Sequence, residues 1–144
     1  MRLLRTGLLI LAPVIFTGCG ATIGTQSEQS APTSQAPQVI AANEIAAIAR
    51  LRTIAGAEAQ YYSESVRYTT LDELMEKQFL MDTSRGKLQG YRIEVQVKGD
   101  GFAATAAPNK YGVTGKRSFY LDQTNVLRGG DRGGSPATAS DPEQ

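Results

Sequence analysis

The chain has 144 residues, 15 basic and 14 acidic, for a formal net charge of +1, with one Cys, no His and no Trp. That balance lacks the basic footprint of a nucleic-acid binder or a polybasic membrane binder. The missing His removes the commonest general base and zinc ligand, and a single Cys admits no internal disulfide, so any enzyme chemistry would fall to carboxylates, Lys or Tyr.

Residues 1–18 open with Arg2 and Arg5, and the run from Gly7 to Phe16 carries no charge. This is the pattern of an export signal, too short to span a bilayer as a helix. Phe16-Thr17-Gly18-Cys19 resembles the lipobox of bacterial lipoproteins, with Phe16 where Leu is usual. The resemblance implies that the Cys19 thiol receives a diacylglycerol and that residues 1–18 are then removed. The competing reading is an uncleaved anchor or an ordinary secretory signal with Cys19 incidental. Two or more acyl chains, each buried CH₂ worth about 0.8 kcal/mol, hold a protein stably on a membrane. Loss of Arg2 and Arg5 turns the net charge from +1 to −1. Gly20 follows the cysteine in place of Asp, which by the same resemblance favours the outer membrane of a host with two membranes.

Residues 19–40 are rich in Ser, Thr, Gln and Pro and read as a disordered tether spanning roughly 25 Å. A helix is predicted from Ala41 to Ser63, with Asn43 or its predecessors as cap. Ile45, Ile48, Leu51, Ala55, Ala59 and Tyr62 fall on one apolar side at three- and four-residue steps. Thr70-Leu71-Asp72-Glu73 is a capping box that starts a short helix running to about Gln78. Tyr91, Ile93, Val95 and Val97 alternate with polar residues, predicting a strand with one apolar face. Gly99-Asp100-Gly101 supplies a turn, and Phe102–Ala107 returns. Ser118–Leu121 and Asn125–Arg128 form a second hairpin. Residues 129–144, with two Gly-Gly pairs, read as a disordered tail. The domain over 41–128 is therefore α+β: a long helix, a short helix, and an antiparallel sheet of about four strands.

Asn43 to Ile54, Ala59-Gln60-Tyr61-Tyr62, Arg67 to Leu71, and the late stretches Gly115 to Asp122 and Asn125 to Arg128 resemble the head domain of type IV pilins and type II secretion pseudopilins. The apolar half-helix that anchors such proteins and builds their filaments has no counterpart; a lipobox and polar tether stand in its place. The resemblance implies a pilin-like fold without standard filament packing. It also makes Asp122, Asn125 and Asp131 calcium candidates, against their plainer role as polar turn residues.

Tyr61, Tyr62 and Tyr68 read as core and rim, and Glu58, Glu64 and Glu73 as helix residues without an acid/base pair. No cofactor is implied. The expected function is non-enzymatic: a lipid-anchored envelope protein, held on the membrane through Cys19, acting through contacts with an envelope protein partner, with a type IV pilus or type II secretion apparatus as the setting. The alternative is a surface-displayed module for a small ligand or glycan. An uncovered apolar stripe on the long helix favours the first, and an open cleft lined by aromatic residues favours the second.

Overall fold

The computed structural model describes residues 35–81 and 87–144, so residues 1–18, Cys19 and most of the tether lie outside the described part. The fold is α+β. Helix α1 (Gln35–Ser65) and helix α2 (Leu71–Glu76) precede strands β1 (Lys87–Leu88), β2 (Tyr91–Lys98), β3 (Gly101–Pro108), β4 (Arg117–Asp122) and β5 (Arg128–Asp131). All pairings are antiparallel and follow chain order, with the two-residue β1 added to the edge of four longer strands.

Alanine-rich sequence carries α1 through 31 residues, including Gln35–Ile40 at the end of the segment read as tether. Asn43 therefore sits inside the helix and is not its cap. Its Nδ2 donates to the Thr114 carbonyl (2.9 Å), and Glu44 Oε1 accepts from the backbone N–H groups of Lys116 and Arg117 (3.1 Å each). These bonds fasten α1 to the start of β4. The helix ends where Val66 turns to φ 54°, a left-handed conformation costly for a β-branched residue, while its N–H still donates to Tyr62 O at 2.8 Å.

The buried face of α1 matches the predicted one in part: Leu51 is buried, and Ile48 and Ala55 pack against the core. Ala47, Leu51, Ile54, Ala57, Glu58 and Tyr61 are buried, whereas Ile45 is 67% exposed and Ala59 and Tyr62 also face solvent. An apolar reading passes over Glu58 and slides one residue on, to Ala59 and Tyr62. One residue is about 100° of helix rotation, enough to exchange core for surface.

Ile93, Val95 and Val97 stand opposite Ala106, Ala104 and Phe102, and Ala104 and Ala106 stand opposite Leu121 and Phe119, so one face of the sheet meets α1. The helix lies over β3 and β4 more than β2, which leaves Val97 43% exposed and Val95 only partly buried. The apolar face predicted for β2 thus holds for Tyr91 and Ile93 and fades towards the turn.

The last 16 residues also depart from expectation. Residues 128–131 form β5, the N–H of Gly129 donates to Pro142 O (2.9 Å), and that of Gln144 donates to Leu127 O (3.0 Å). Ala137 is buried and shares a cleft on the outer sheet face with Ala103, Thr105 and Tyr120. Glycine content suggested a loose tail. At Gly129, however, an added Cβ would overlap the Ser118 carbonyl, so the glycine is what lets β5 close on β4.

Candidate functional site

Two features of α1 face outward, and both lie on its solvent side. The first is a seam of exposed residues at alternating three- and four-residue steps: Ala42, Ile45, Ala49, Arg52, Gly56, Ala59, Ser63 and, just past the helix end, Val66. Val66 is 76% exposed. Solvent-facing helix surfaces are ordinarily charged, yet Arg52 is the one charged member here. Gly56 sits mid-helix, where glycine costs about 1 kcal/mol relative to Ala, and a Cβ added there would meet nothing within 4 Å. Packing within the described fold gives no reason for that glycine.

The second feature is a cleft of about 680 Å³ beside the same part of the helix. Arg52, Ala55, Gly56 and Ala59 line it from α1, and Asp122, Val126 and Glu143 from the β4–β5 loop and the folded-back end. Tyr68 and Phe102 also line it, their ring centroids 5.2 Å apart, and Tyr62 stacks on Tyr68 at 4.7 Å. An aromatic ladder therefore runs from the exposed rim at Tyr62 to the core at Phe102.

The buried polar cluster lies elsewhere, between α1 and α2. Glu58 Oε2 accepts from the Thr69 N–H at 3.1 Å, and Oε1 has no partner among the described residues. Burial, followed by the nearby Glu73 charge and opposed by the Thr69 bond, pushes the Glu58 carboxyl up to about 7. Glu73 takes hydrogen bonds from Arg67 (2.6 Å), the Thr69 hydroxyl and Tyr61 Oη (2.7 Å), which bring its carboxyl down to about 2. Thr70 caps α2 as expected, accepting from the Glu73 N–H, but the return half of the capping box is replaced by these bonds. None of Glu58, Thr69 and Glu73 lines the cleft, and the cluster holds the turn between the helices.

Of the three calcium candidates, Asp122 and Asn125 share one turn and Asp131 lies apart from them. Asp122 ends β4, whereas Asp131 pairs with Arg117 at the start of that strand, about 17 Å away along it. Asp122 Oδ1 accepts from Thr124 N (2.9 Å) and Oγ1, and Oδ2 from Tyr120 Oη. Burial works against its ionisation, yet these bonds hold its carboxyl below the usual range. Asn125 is a left-handed turn residue donating to Asp122 O. Asp131 accepts from Gly133 N and Tyr111 Oη, which hold it low as well. Both carboxylates are thus taken up by hydrogen bonds within the fold. Among the described residues no group of three His, Cys, Asp or Glu is placed to hold a metal ion, and no helix is long and apolar enough to cross a membrane.

Sequence reasoning thus missed the seam and placed two of its members, Ile45 and Ala59, on the core side. The signal available was its heptad spacing: Ala42, Ala49, Gly56 and Ser63 recur every seven residues, with Ile45, Arg52, Ala59 and Val66 between them. No family model, no curated protein and no solved structure matches this chain.

Proposed function

We propose that this protein is a non-enzymatic, lipid-anchored component of a bacterial cell envelope. Cys19 carries the lipid, and the α+β domain is a pilin-like or pseudopilin-like module that works through protein–protein contact at α1. The observation that carries this reading is the uncovered seam on α1, where Ile45 is 67% exposed and Gly56 leaves the backbone open to close approach. The setting is a type IV pilus or type II secretion apparatus, on the outer membrane where the host has two.

A second reading has its own support. The cleft beside Gly56, with Tyr68 and Phe102 in its lining, suits a small ligand or a glycan that stacks on aromatic rings. The cleft shares Arg52, Gly56 and Ala59 with the seam, so a polypeptide seated on α1 would cover both.

Fatty-acid labelling tests the anchor. The parent should incorporate a clickable fatty acid and fractionate with membranes, while Cys19→Ser, which lacks the thiol, should not be labelled. Equal labelling of both would remove the lipoprotein reading and leave a secreted or signal-anchored domain.

A further inference from the structure

We infer that the end of the domain where α1 begins docks on a membrane, seated on anionic phospholipid through the β3–β4 loop and the early turns of α1. This deepens the reading of the protein as lipid-anchored and rests on it.

Between β3 and β4 the chain runs Asn109-Lys110-Tyr111-Gly112-Val113-Thr114-Gly115-Lys116. Val113 is 62% exposed and Tyr111 46%, and both lysines are open to solvent. A ring and an aliphatic side chain set between two lysines suit a bilayer interface. The apolar groups enter the headgroup layer while the ammonium groups meet lipid phosphates. The nearest acid is already engaged: Asp131 accepts from Tyr111 Oη (2.9 Å), and the Lys116 charge favours its ionised form.

Helix α1 adds to the same surface. Asn43 donates to Thr114 O, so that side of the helix faces the loop. Val39 and Ile40 lie four and three residues before Asn43 and share its side, with Val39 51% exposed. Asn43 and Ile45 are about 200° apart around the helix, so this surface is not the seam. Residues 35–43 carry no charge, and Asn109 to Arg117 holds three cations and no acid. Glu44, the first acid of α1, is turned onto the backbone N–H groups of Lys116 and Arg117.

The course of the chain and its charge select lipid as the occupant. Fifteen residues separate Cys19 from Gln35, so a lipid on Cys19 holds this end of the domain nearest the bilayer. The opposite end has the wrong sign. Between Ser63 and Lys77 four acids outnumber two cations, and Asp100 and Asp122 lie at that end of the sheet. An anionic surface therefore attracts one end and repels the other. With the lipid already holding the chain, contact is intramolecular and has only to set orientation.

The lipidated full chain in vesicles tests this, because the thioether leaves Cys19 without a thiol and an introduced cysteine alone takes a label. Val113→Cys and Asp100→Cys, about 25 Å apart along β3, are each labelled with an environment-sensitive fluorophore. Both are placed on vesicles of phosphatidylcholine, with or without phosphatidylglycerol, that carry a headgroup quencher. With phosphatidylglycerol present, quenching at position 113 should exceed that at position 100 by about fivefold. Lys110→Gln with Lys116→Gln, or salt at about 1 M, should return position 113 to its value on phosphatidylcholine alone. Quenching at position 113 that ignores both the lysines and phosphatidylglycerol overturns the proposal. If the parent chain takes up label at Cys19 and washes off the vesicles, the anchor reading fails and the docking surface falls with it. If the parent stays bound and unlabelled while positions 113 and 100 are quenched alike, the anchor stands and the docking surface is wrong.

Discussion

Thr69 stands between two carboxylates of opposite character: its backbone N–H donates to Glu58 Oε2 at 3.1 Å, and its hydroxyl donates to Glu73. One residue thus ties a buried acid whose carboxyl is raised to about 7 to a half-buried one lowered to about 2. The joint between α1 and α2 depends on both.

The two acids give stability a pH optimum. Glu58 is raised above its ordinary 4.5, so the folded state holds its proton longer than the unfolded chain does. Its contribution is complete below pH 4.5 and lost as pH rises through 7. Glu73 is lowered, so its contribution is present above 4.5 and lost as pH falls towards 2. Stability should therefore peak at about pH 5. Glu58→Gln keeps an acceptor for Thr69 without the charge and should abolish the decline above the optimum. At pH 7.5 it should be the more stable protein by about 2 kcal/mol, and at pH 4.5 little different from the parent. Melting temperature measured against pH checks this; parallel curves for the two proteins would refute it.

Gly115→Ala should be among the most damaging conservative changes. The added methyl overlaps the hydroxyl and ring of Tyr91, which is fully buried and donates to Arg117 O at 2.6 Å. Overpacking of this kind costs about 1–3 kcal/mol. Urea unfolding should show that loss, and a smaller one when Tyr91 is itself truncated, because the two changes share one clash.

Removal of residues 135–144 should destabilise a domain whose composition gives those residues no structural role. Gly129 and Leu127 each lose a backbone bond, Gln144 Nε2 no longer donates to Gly129 O (2.7 Å), and the outer face at Ala103 and Tyr120 opens to water. At about 1 kcal/mol per hydrogen bond, with lost apolar burial added, a decrease of about 3 kcal/mol is expected. Binding of a hydrophobic dye should rise as well. An unchanged melting curve would mean that the segment contributes nothing to the fold.

These outcomes separate what the residues disclose from what they conceal. The β2–β3 hairpin was legible because period-two alternation from Tyr91 and the Gly99-Asp100 turn act locally, and Thr70 declared the start of α2 in the same way. The exposed side of α1 was not legible, because Ala and Ile look alike whether they face a core or a partner. Glu58 concealed the true buried stripe, since a charged side chain reads as surface until Thr69 is seen to satisfy it. Nor does local sequence show that Gly129 lies under Ser118 or that Ala137 reaches the outer sheet face; those contacts exist only once distant segments meet. Asp122 and Asp131 are nine positions apart in the chain, and strand register puts them at opposite ends of β4.

The central claim, that a membrane-held domain works through the outer face of α1, is tested most directly by photo-crosslinking in intact cells. A photoreactive amino acid is placed at Ile45 or Ala59 on the seam and, as a control, at exposed Asn109. The account predicts discrete adducts from positions 45 and 59, to a second copy or another envelope protein, a marked decrease of both when Cys19→Ser releases the lipid anchor, and none from position 109. Adducts of equal yield from all three positions, or none from the seam in folded, membrane-bound protein, would contradict it.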